Sequence, residues 1–493
     1  MYFDFLLNKN DRICLAMLRQ FSQLSVPTID RQTLLTDYDI TNFHLNKYFE
    51  SINEDLAAVS DDQPCYLDEA VKGVFHAHHL TTYIVQKVTL MYLKRATGYP
   101  VFEFQFFYDQ IQTAADYRDA HFITKPVFFR YAKQLKQAYE DEGFYDIAGV
   151  AQSEEFVIRL RLFQLYYTTF SGIEAPFPEL DDSVQRLMDA CVPFFSESLS
   201  PTQEVKLSTL LKIWLLRLRN QATIQAVELA DNLRDETYHA LFKQLQTVLP
   251  SDIALSEAAQ DYVYSFLLTQ GFIELNDATI TAAFPLAAKI TQQFVDFIKD
   301  QHFMEDTVPL NHLDLTGQLL RVNLQFTTFY VEPTTFISPN QIDFFRELYP
   351  IFDLLIRDFI KQLRQTSAFR FSPQMVVNLY FSYMFAMINT IPTEAMKDRI
   401  YVCVDFSEGV LYANYVIRSL EGFNHAHIVV QHQLTEATDI YISDFHAPKV
   451  SQPQVIWLDP PTPQDWSDLA DLILAQKQAR LTTLFPGHDW SES

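Results

Sequence analysis

Between Thr124 and Ala138 the chain repeats Val127, Tyr131, Leu135 and Ala138 at helical spacing and sets Lys125, Arg130, Lys133 and Lys136 on the other flank, with no acid among them. The spacing predicts a helix over 125–139. Thr124 can cap it with its hydroxyl, and Pro126 sits early enough that its missing N–H is no loss. The apolar flank needs a core; four bases with no counter-charge cannot enter one. Whatever the fold, this helix lies at a surface with its basic side outward, as a helix-turn-helix presents its second helix to a DNA groove.

The preceding residues show the same architecture once more. Asp11–Leu24 is periodic through Ile13, Leu15, Leu18 and Phe21, and a short helix is expected over Asp30–Leu35. Thr41 is a candidate N-cap for a helix whose Leu45, Phe49, Ile52 and Leu56 fall at i, i+4, i+7 and i+11. Its outward residues are Asn42, His44, Asn46, Lys47 and Ser51. Asn pairs bidentately with adenine and Lys reaches guanine or phosphate, so Asn42, His44, Asn46 and Lys47 are candidate DNA contacts. An ordinary three-helix bundle is the alternative reading of this stretch alone. Cys65-Tyr66-Leu67 and Val71–His76 around Gly73 then predict a hairpin where a winged helix carries its wing. His76 and His78 share a strand face, but no carboxylate or Cys stands at ligand spacing beside them or His79, so no metal is expected. The second copy runs through helix 82–95 (Val85, Val88, Leu90, Tyr92, Leu93), an aromatic helix around Phe102–Ile111, a short helix at Ala114–Ala120, the basic helix, and a wing at Phe144–Val150.

At 493 residues the chain is too long for one core, and 10 glycines beside 42 Phe and 25 Tyr favour helices over tight turns. The net charge of −25 argues against simple nucleic-acid binding. It is unevenly spread, however: residues 1–150 hold 20 acids and 14 bases (net −6), which leaves 42 acids and 23 bases (net −19) elsewhere. Any DNA contact must come from local basic faces, and a monomer should bind weakly and with strong salt dependence. Cys14, Cys65, Cys191 and Cys403 lack CxxC spacing, which suits a reducing cytoplasm and indicates neither a zinc site nor a disulfide framework. No signal-peptide pattern opens the chain, and no apolar run is long enough to span a membrane. Phosphate-loop, nucleophile-elbow, zincin and dinucleotide-binding motifs are all missing, so neither an enzyme nor a cofactor is expected.

Residues 175–290 read as helical, starting after Pro176 and Pro178; Lys206–Leu218 is apolar nearly all round and should be a buried helix. Residues 300–395 begin again with Asn311-His312-Leu313, pass Arg321 and an irregular Pro333–Pro339 segment, and end in helices from Gln341 to Thr390. From Asp398 the pattern changes. Strands are expected at Ile400–Val404, His427–Gln431, Thr438–Ile442 and Val455–Leu458, with helices at Leu411–Leu420 and Gln464–Gln476, which implies a small parallel α/β sheet.

One family resemblance ties these parts together. Phe122-Ile123-Thr124-Lys125 through Arg130 and Leu135, then Gly149, then Glu155-x-x-Ile158-Arg159 with Leu162, Leu165 and Tyr166, resembles the Mga/AtxA group of transcription regulators in order and spacing. Ile52-Asn53-Glu54-Asp55-Leu56 resembles the end of that family's first recognition helix. The resemblance implies a mainly α, multidomain chain: two tandem winged helix-turn-helix domains (1–80 and 81–172), two PRD-like helical bundles (173–295 and 296–396) and an enzyme IIB-like α/β domain (397–493). It implies binding to double-stranded DNA, a homodimer or higher oligomer through the C-terminal domain, and phosphorylation through a phosphotransferase-system phosphocarrier protein. His312, followed by Arg321, is the closest approach to a PRD phospho-acceptor motif; His239 is weaker, and Lys206 stands where the first bundle's histidine is sought. Cys403 stands near the nucleophile of IIB proteins, but Val404-Asp405-Phe406-Ser407-Glu408 lacks the small-residue phosphate cradle, so Cys403 is read as a buried strand residue. The alternative from another class is a phosphotransferase-linked interaction scaffold without direct DNA binding, which suits the chain's acidity.

Overall fold

Helical periodicity dominates the architecture. The computed structural model describes residues 3–24, 26–60, 63–145, 154–225, 227–250, 253, 255–305, 309–331, 340–366, 372–392, 395–407, 409–422 and 427–485. They divide into two units, Met1–Glu274 and Leu275–Ser493.

The first unit opens with α1 (Lys9–Ser22), β1 (Thr28–Asp30), α2 (Arg31–Asp37), α3 (Asn42–Val59), β2 (Tyr66–Val71) and β3 (Val74–His78). The strands form one antiparallel sheet in the order β1-β3-β2. Leu45, Phe49, Ile52 and Leu56 of α3 are all buried, as their spacing predicts. In β3, Phe75 and Ala77 turn inward while His76 and His78 lie on the opposite face. The expected hairpin is present, and Gly73 takes φ of 84° at its tip, a conformation that costs glycine little. Strand β1 leaves no mark in the sequence: three residues with only Ile29 buried carry too little alternation to register.

Next come α4 (Thr82–Arg95), α5 (Gly98–Glu103), α6 (Ala114–Ala120), α7 (Lys125–Asp141) and α8 (Glu154–Phe170). The aromatic helix expected at Phe102–Ile111 is corrected to the end of α5 followed by a π-helical turn, Phe104–Tyr108. A π turn breaks the regular bond ladder, and here the Phe106 carbonyl accepts from Arg217 and from Asn220 Nδ2 at 3.1 Å. The expected wing at Phe144–Val150 begins with buried Phe144, and its residues 146–150 lie outside the described ones. Among the described residues between 81 and 172 there is no strand.

The unit continues with α9 (Asp181–Cys191), α10 (Pro201–Arg219), α11 (Glu236–Val248) and α12 (Glu257–Thr269). Helix α10 is buried nearly all round from Leu207 to Arg217, in line with its unbroken apolar sequence. Its packing against α8 includes a buried ion cluster. Glu155 Oε1 accepts from Arg159 Nε at 2.8 Å and from Arg217 Nε at 3.0 Å, so the two guanidinium groups outweigh the burial that would otherwise raise the carboxyl, and its pKa is lowered.

The second unit holds α13 (Asp277–Ala283), α14 (Pro285–Lys299), α15 (Leu315–Thr328), α16 (Asn340–Leu348), α17 (Pro350–Thr366) and α18 (Pro373–Thr390). Buried Asn323 joins three of them, donating to Thr291 at 2.9 Å and accepting from Tyr383 at 2.8 Å. The α/β region follows: β4 (Ile400–Asp405), α19 (Val410–Glu421), β5 (Ile428–Gln431), β6 (Ile440–Ser443), β7 (Gln454–Ile456) and α20 (Pro463–Leu484). All four strands are parallel, in the order β5-β4-β6-β7. Strict alternation of strand and helix does not hold, because β5–β6 and β6–β7 are joined without a helix. Buried Asp398 meets His427 Nδ1 at 2.9 Å and Lys477 Nζ at 3.2 Å, while Lys477 also donates to the Leu348 carbonyl of α16. Burial would raise Asp398, but Lys477 and His427 outweigh it and hold the carboxyl at about 2. Among the described residues, no helix is long and apolar enough to cross a membrane.

Candidate nucleic-acid interface

The α2–α3 and α6–α7 pairs are built alike, residue for residue, at a constant separation. Asp30 and Thr113 cap the first helices and Thr41 and Thr124 precede the second ones; 113 − 30 and 124 − 41 both equal 83. In the first turn, Asp39 has φ of 48°; in the second, Phe122 has φ of 55°. The helix-ending bonds repeat too. Ile40 N–H donates to Leu35 O and Ile123 N–H to Arg118 O, at 3.2 and 2.9 Å, the six-to-one bond of a left-handed helix terminus. Buried Leu34, Leu45, Ile52 and Leu56 match buried Tyr117, Phe128, Leu135 and Tyr139 at the same interval.

The inner face of α7 needs one correction. Leu135 is buried as expected, but Phe128 and Tyr139 are its other fully buried residues, and Val127, Tyr131 and Ala138 are half-buried. The buried stripe is shifted by one residue from the expected row at Phe128 and Tyr139, with Phe128 edge-on to the Phe104 ring and Tyr139 packed on Phe102, Phe106 and Phe144.

On the outer face, Lys125, Arg130, Lys133 and Lys136 are exposed, and among the described residues none makes an ion pair. Arg130 lies over the Tyr131 ring, 5.2 Å from its centre. The α3 face differs. Asn42, His44, Asn46 and Lys47 are exposed, but Asn42 and Asn46 accept from Arg31 Nη1 at 3.2 and 3.3 Å. Arg31 Nη2 meets Glu69 at 2.8 Å, and Glu69 also accepts from Gly73 N–H at 2.6 Å. The hairpin tip is thus fastened beside the N-terminus of α3. His44 Nδ1 is 3.0 Å from the Thr41 hydroxyl, a capping contact. The His78 ring stacks between those of Tyr66 and His76, and His78 pairs with Asp68; among the described residues no cluster of His, Cys, Asp or Glu could hold a metal ion.

Several surface groups are not singled out by sequence reasoning. Phe43, Phe122 and Phe129 are 74%, 96% and 53% exposed. Phe43 and Phe129 do leave a signal in the sequence, since each falls off the apolar stripe of its helix, whereas Phe122 lies in the turn before α7. Arg31 and Glu69 give none, because their roles depend on how the sheet meets α3.

Different groups hold the two pairs in place. Arg95 at the end of α4 binds Asp11 of α1 at 2.6 Å and Asp55 of α3 at 2.7 Å. On the second pair, α5 packs against α7: Gln105 accepts from the Tyr139 hydroxyl of α7 at 2.8 Å, and Glu103 of α5 accepts from the Tyr166 hydroxyl of α8 at 2.9 Å, with the Tyr99 hydroxyl donating to Tyr166 at 3.2 Å. Burial pushes Glu103 up to about 7, partly offset by these tyrosines, so it is largely protonated below neutrality. A Cβ on Gly98 would lie 3.2 Å from the Tyr131 ring, so a larger residue there would require that ring to shift by a few tenths of an ångström.

The remaining candidates lie apart from these faces. His239 is exposed on α11, edge-on to Tyr238. His312 is exposed in a 3-10 turn before α15, while Arg321 pairs with Asp277 at 3.0 Å and donates to Gly317 O at 2.9 Å; no hydrogen bond among the described residues joins His312 to Arg321. Cys403 is buried in β4, and burial and Asp405 push its thiol up. Beyond the strand end, the Asp444 carboxylate accepts from Ser407 N–H at 2.9 Å and from its hydroxyl at 2.5 Å, at the topological switch point between β4 and β6. Glu408 lies outside the described residues. Neither a family model nor a curated protein matches this chain.

Proposed function

We propose that the chain is a DNA-binding transcription regulator of the Mga type, acting in the cytoplasm. In this reading residues 1–80 and 81–172 are tandem winged helix-turn-helix modules with α3 and α7 as recognition helices, residues 173–295 and 296–396 are PRD-like bundles, and 397–493 is an enzyme IIB-like module. The observation that carries it is the pair of helix–turn–helix segments 83 residues apart, each turning through a left-handed residue onto an exposed polar face, one of them bearing four bases without an ion pair among the described residues. The helix–strand order α1-β1-α2-α3-β2-β3 supports a wing on the first module.

The reading gives the C-terminal module an assembly role. Supporting it are Val410, Leu411 and Tyr415, exposed on α19, and Phe445 and Leu458, exposed beyond β6 and β7. It assigns Cys403 no catalytic step, since the thiol is buried and Asp444 already occupies the nearby donors. Phosphorylation of His312 or His239 by a phosphocarrier protein is the proposed input, and exposure of both rings is compatible with it. A phosphotransferase-linked scaffold is the second reading, favoured by the net charge of −25.

The test is a mobility-shift titration of the intact chain on straight and curved duplexes at two salt concentrations, beside Arg130→Glu. Binding by the intact chain and its loss in a folded Arg130→Glu variant are expected. Unchanged affinity in that variant removes α7 as the contact, and no binding at low salt favours the scaffold.

A further inference from the structure

The second unit carries a pocket of about 500 Å3 among α16, α17 and α18, a volume typical of small-molecule sites. Ile342, Ile360, Val376 and Val377 give it an apolar lining. Arg357, Lys361 and Arg364 also line it, at i, i+4 and i+7 on one face of α17, all three exposed toward solvent.

Among the described residues, one of the three bases is paired and two are not. Arg357 is held by buried Asp353 at 2.6 Å, and Tyr380, another lining residue, donates to the same carboxylate at 2.8 Å. This contact fixes one end of the wall and neutralises its charge. Lys361 and Arg364 make no ion pair among the described residues, in a chain where 62 acids outnumber 37 bases. An apolar lining gives inorganic phosphate little to hold, and two solvated bases give an uncharged hydrocarbon no orientation. A ligand with both parts satisfies both features.

We infer that this pocket binds a small anionic amphiphile, its carboxylate or phosphate at Lys361 and Arg364 and its apolar body against Ile342, Ile360, Val376 and Val377. The inference does not depend on DNA binding.

The experiment is calorimetric titration of the intact chain with decyl phosphate and with decanoate, below their micellar concentrations, beside inorganic phosphate and decyltrimethylammonium. One saturable site for at least one anionic amphiphile is expected, with neither control matching it. Lys361→Glu/Arg364→Glu, both exposed positions, should weaken that binding by about tenfold or more. Val377→Phe keeps the charges and fills the pocket, and should weaken it as well. Preference for decyl phosphate over decanoate would make the head group a phosphate, and the reverse a carboxylate. The inference is overturned if neither anion binds, if the cationic amphiphile binds equally, or if Val377→Phe and the charge-reversed variant both bind as the parent does.

Discussion

The α2–α3 and α6–α7 segments share their backbone and differ in almost everything that touches solvent. Both end a seven-residue helix on a left-handed residue, both restart after Ile-Thr, and both bury the same helical positions. Yet α3 offers amide groups already tethered through Arg31, whereas α7 offers four bases that make no ion pair among the described residues. The supports differ as well: a fully paired arginine–carboxylate cluster holds α3, whereas α5, which packs against α7, carries Glu103, a carboxyl near neutrality that accepts from Tyr166 of α8. Apolar spacing and turn geometry set the shape, and surface chemistry is free to diverge upon it. In the proposed reading α7 supplies charge and α3 supplies base discrimination.

The largest expected effect tests that division. Arg130→Glu/Lys133→Glu should remove DNA binding at moderate salt, since each side chain that reaches the duplex is worth about 1–3 kcal/mol and the new acids repel phosphate. Circular dichroism should stay unchanged, because both positions are exposed. If reversing Lys47 alone harms binding as much, the division of labour is wrong.

The supports make a prediction of their own. Glu103 has a folded pKa raised from 4.5 to about 7, so its contribution to stability is fully present below the unfolded value and is lost as pH rises through about 7. Glu103→Gln cannot ionise, so between pH 5 and 8 its melting temperature should fall less than the parent's, by an amount equivalent to about 3 kcal/mol at most. Parallel melting curves would show that Glu103 does not titrate in this range. Asp11→Asn, on the paired support, should lower stability by removing one carboxylate from Arg95.

Asn42→Ala should relax preference at one base position by about 1–3 kcal/mol and leave the salt dependence of binding unaltered. Selection from a randomised duplex pool, parent against variant, reads this directly; an unaltered preference would mean that Asn42 serves only to orient Arg31.

The smallest effect separates the two turns. Phe122 holds φ of 55° while 96% exposed, so Phe122→Gly should relieve strain at no cost in packing and raise stability by about 1 kcal/mol. Asp39→Gly should gain less, since Asp tolerates the left-handed region better. Thermal melts of both variants check the order.

Legibility in the sequence divides along the same line. Periodic apolar residues disclose α3, α4 and α7, and the β-branched run at Ile400–Val404 discloses a central parallel strand, because burial leaves a regular mark on sequence. The π turn at Phe104–Tyr108 leaves none: it depends on Arg217 and Asn220, more than a hundred residues away, to take up the Phe106 carbonyl. Likewise, the bases of α7 can be picked out from one helix, whereas the tether from Arg31 to Asn42, Asn46 and Glu69 joins three elements and requires the fold.

The most direct measurement is the salt dependence of affinity for a selected duplex, comparing the intact chain with Lys125→Ala/Arg130→Ala/Lys133→Ala/Lys136→Ala. If α7 carries the charge, the parent binds, and the slope of log affinity against log salt shrinks in the variant by about 0.9 for each phosphate that is no longer neutralised. Equal slopes for the two proteins, or no binding by the parent at low salt, would contradict the account.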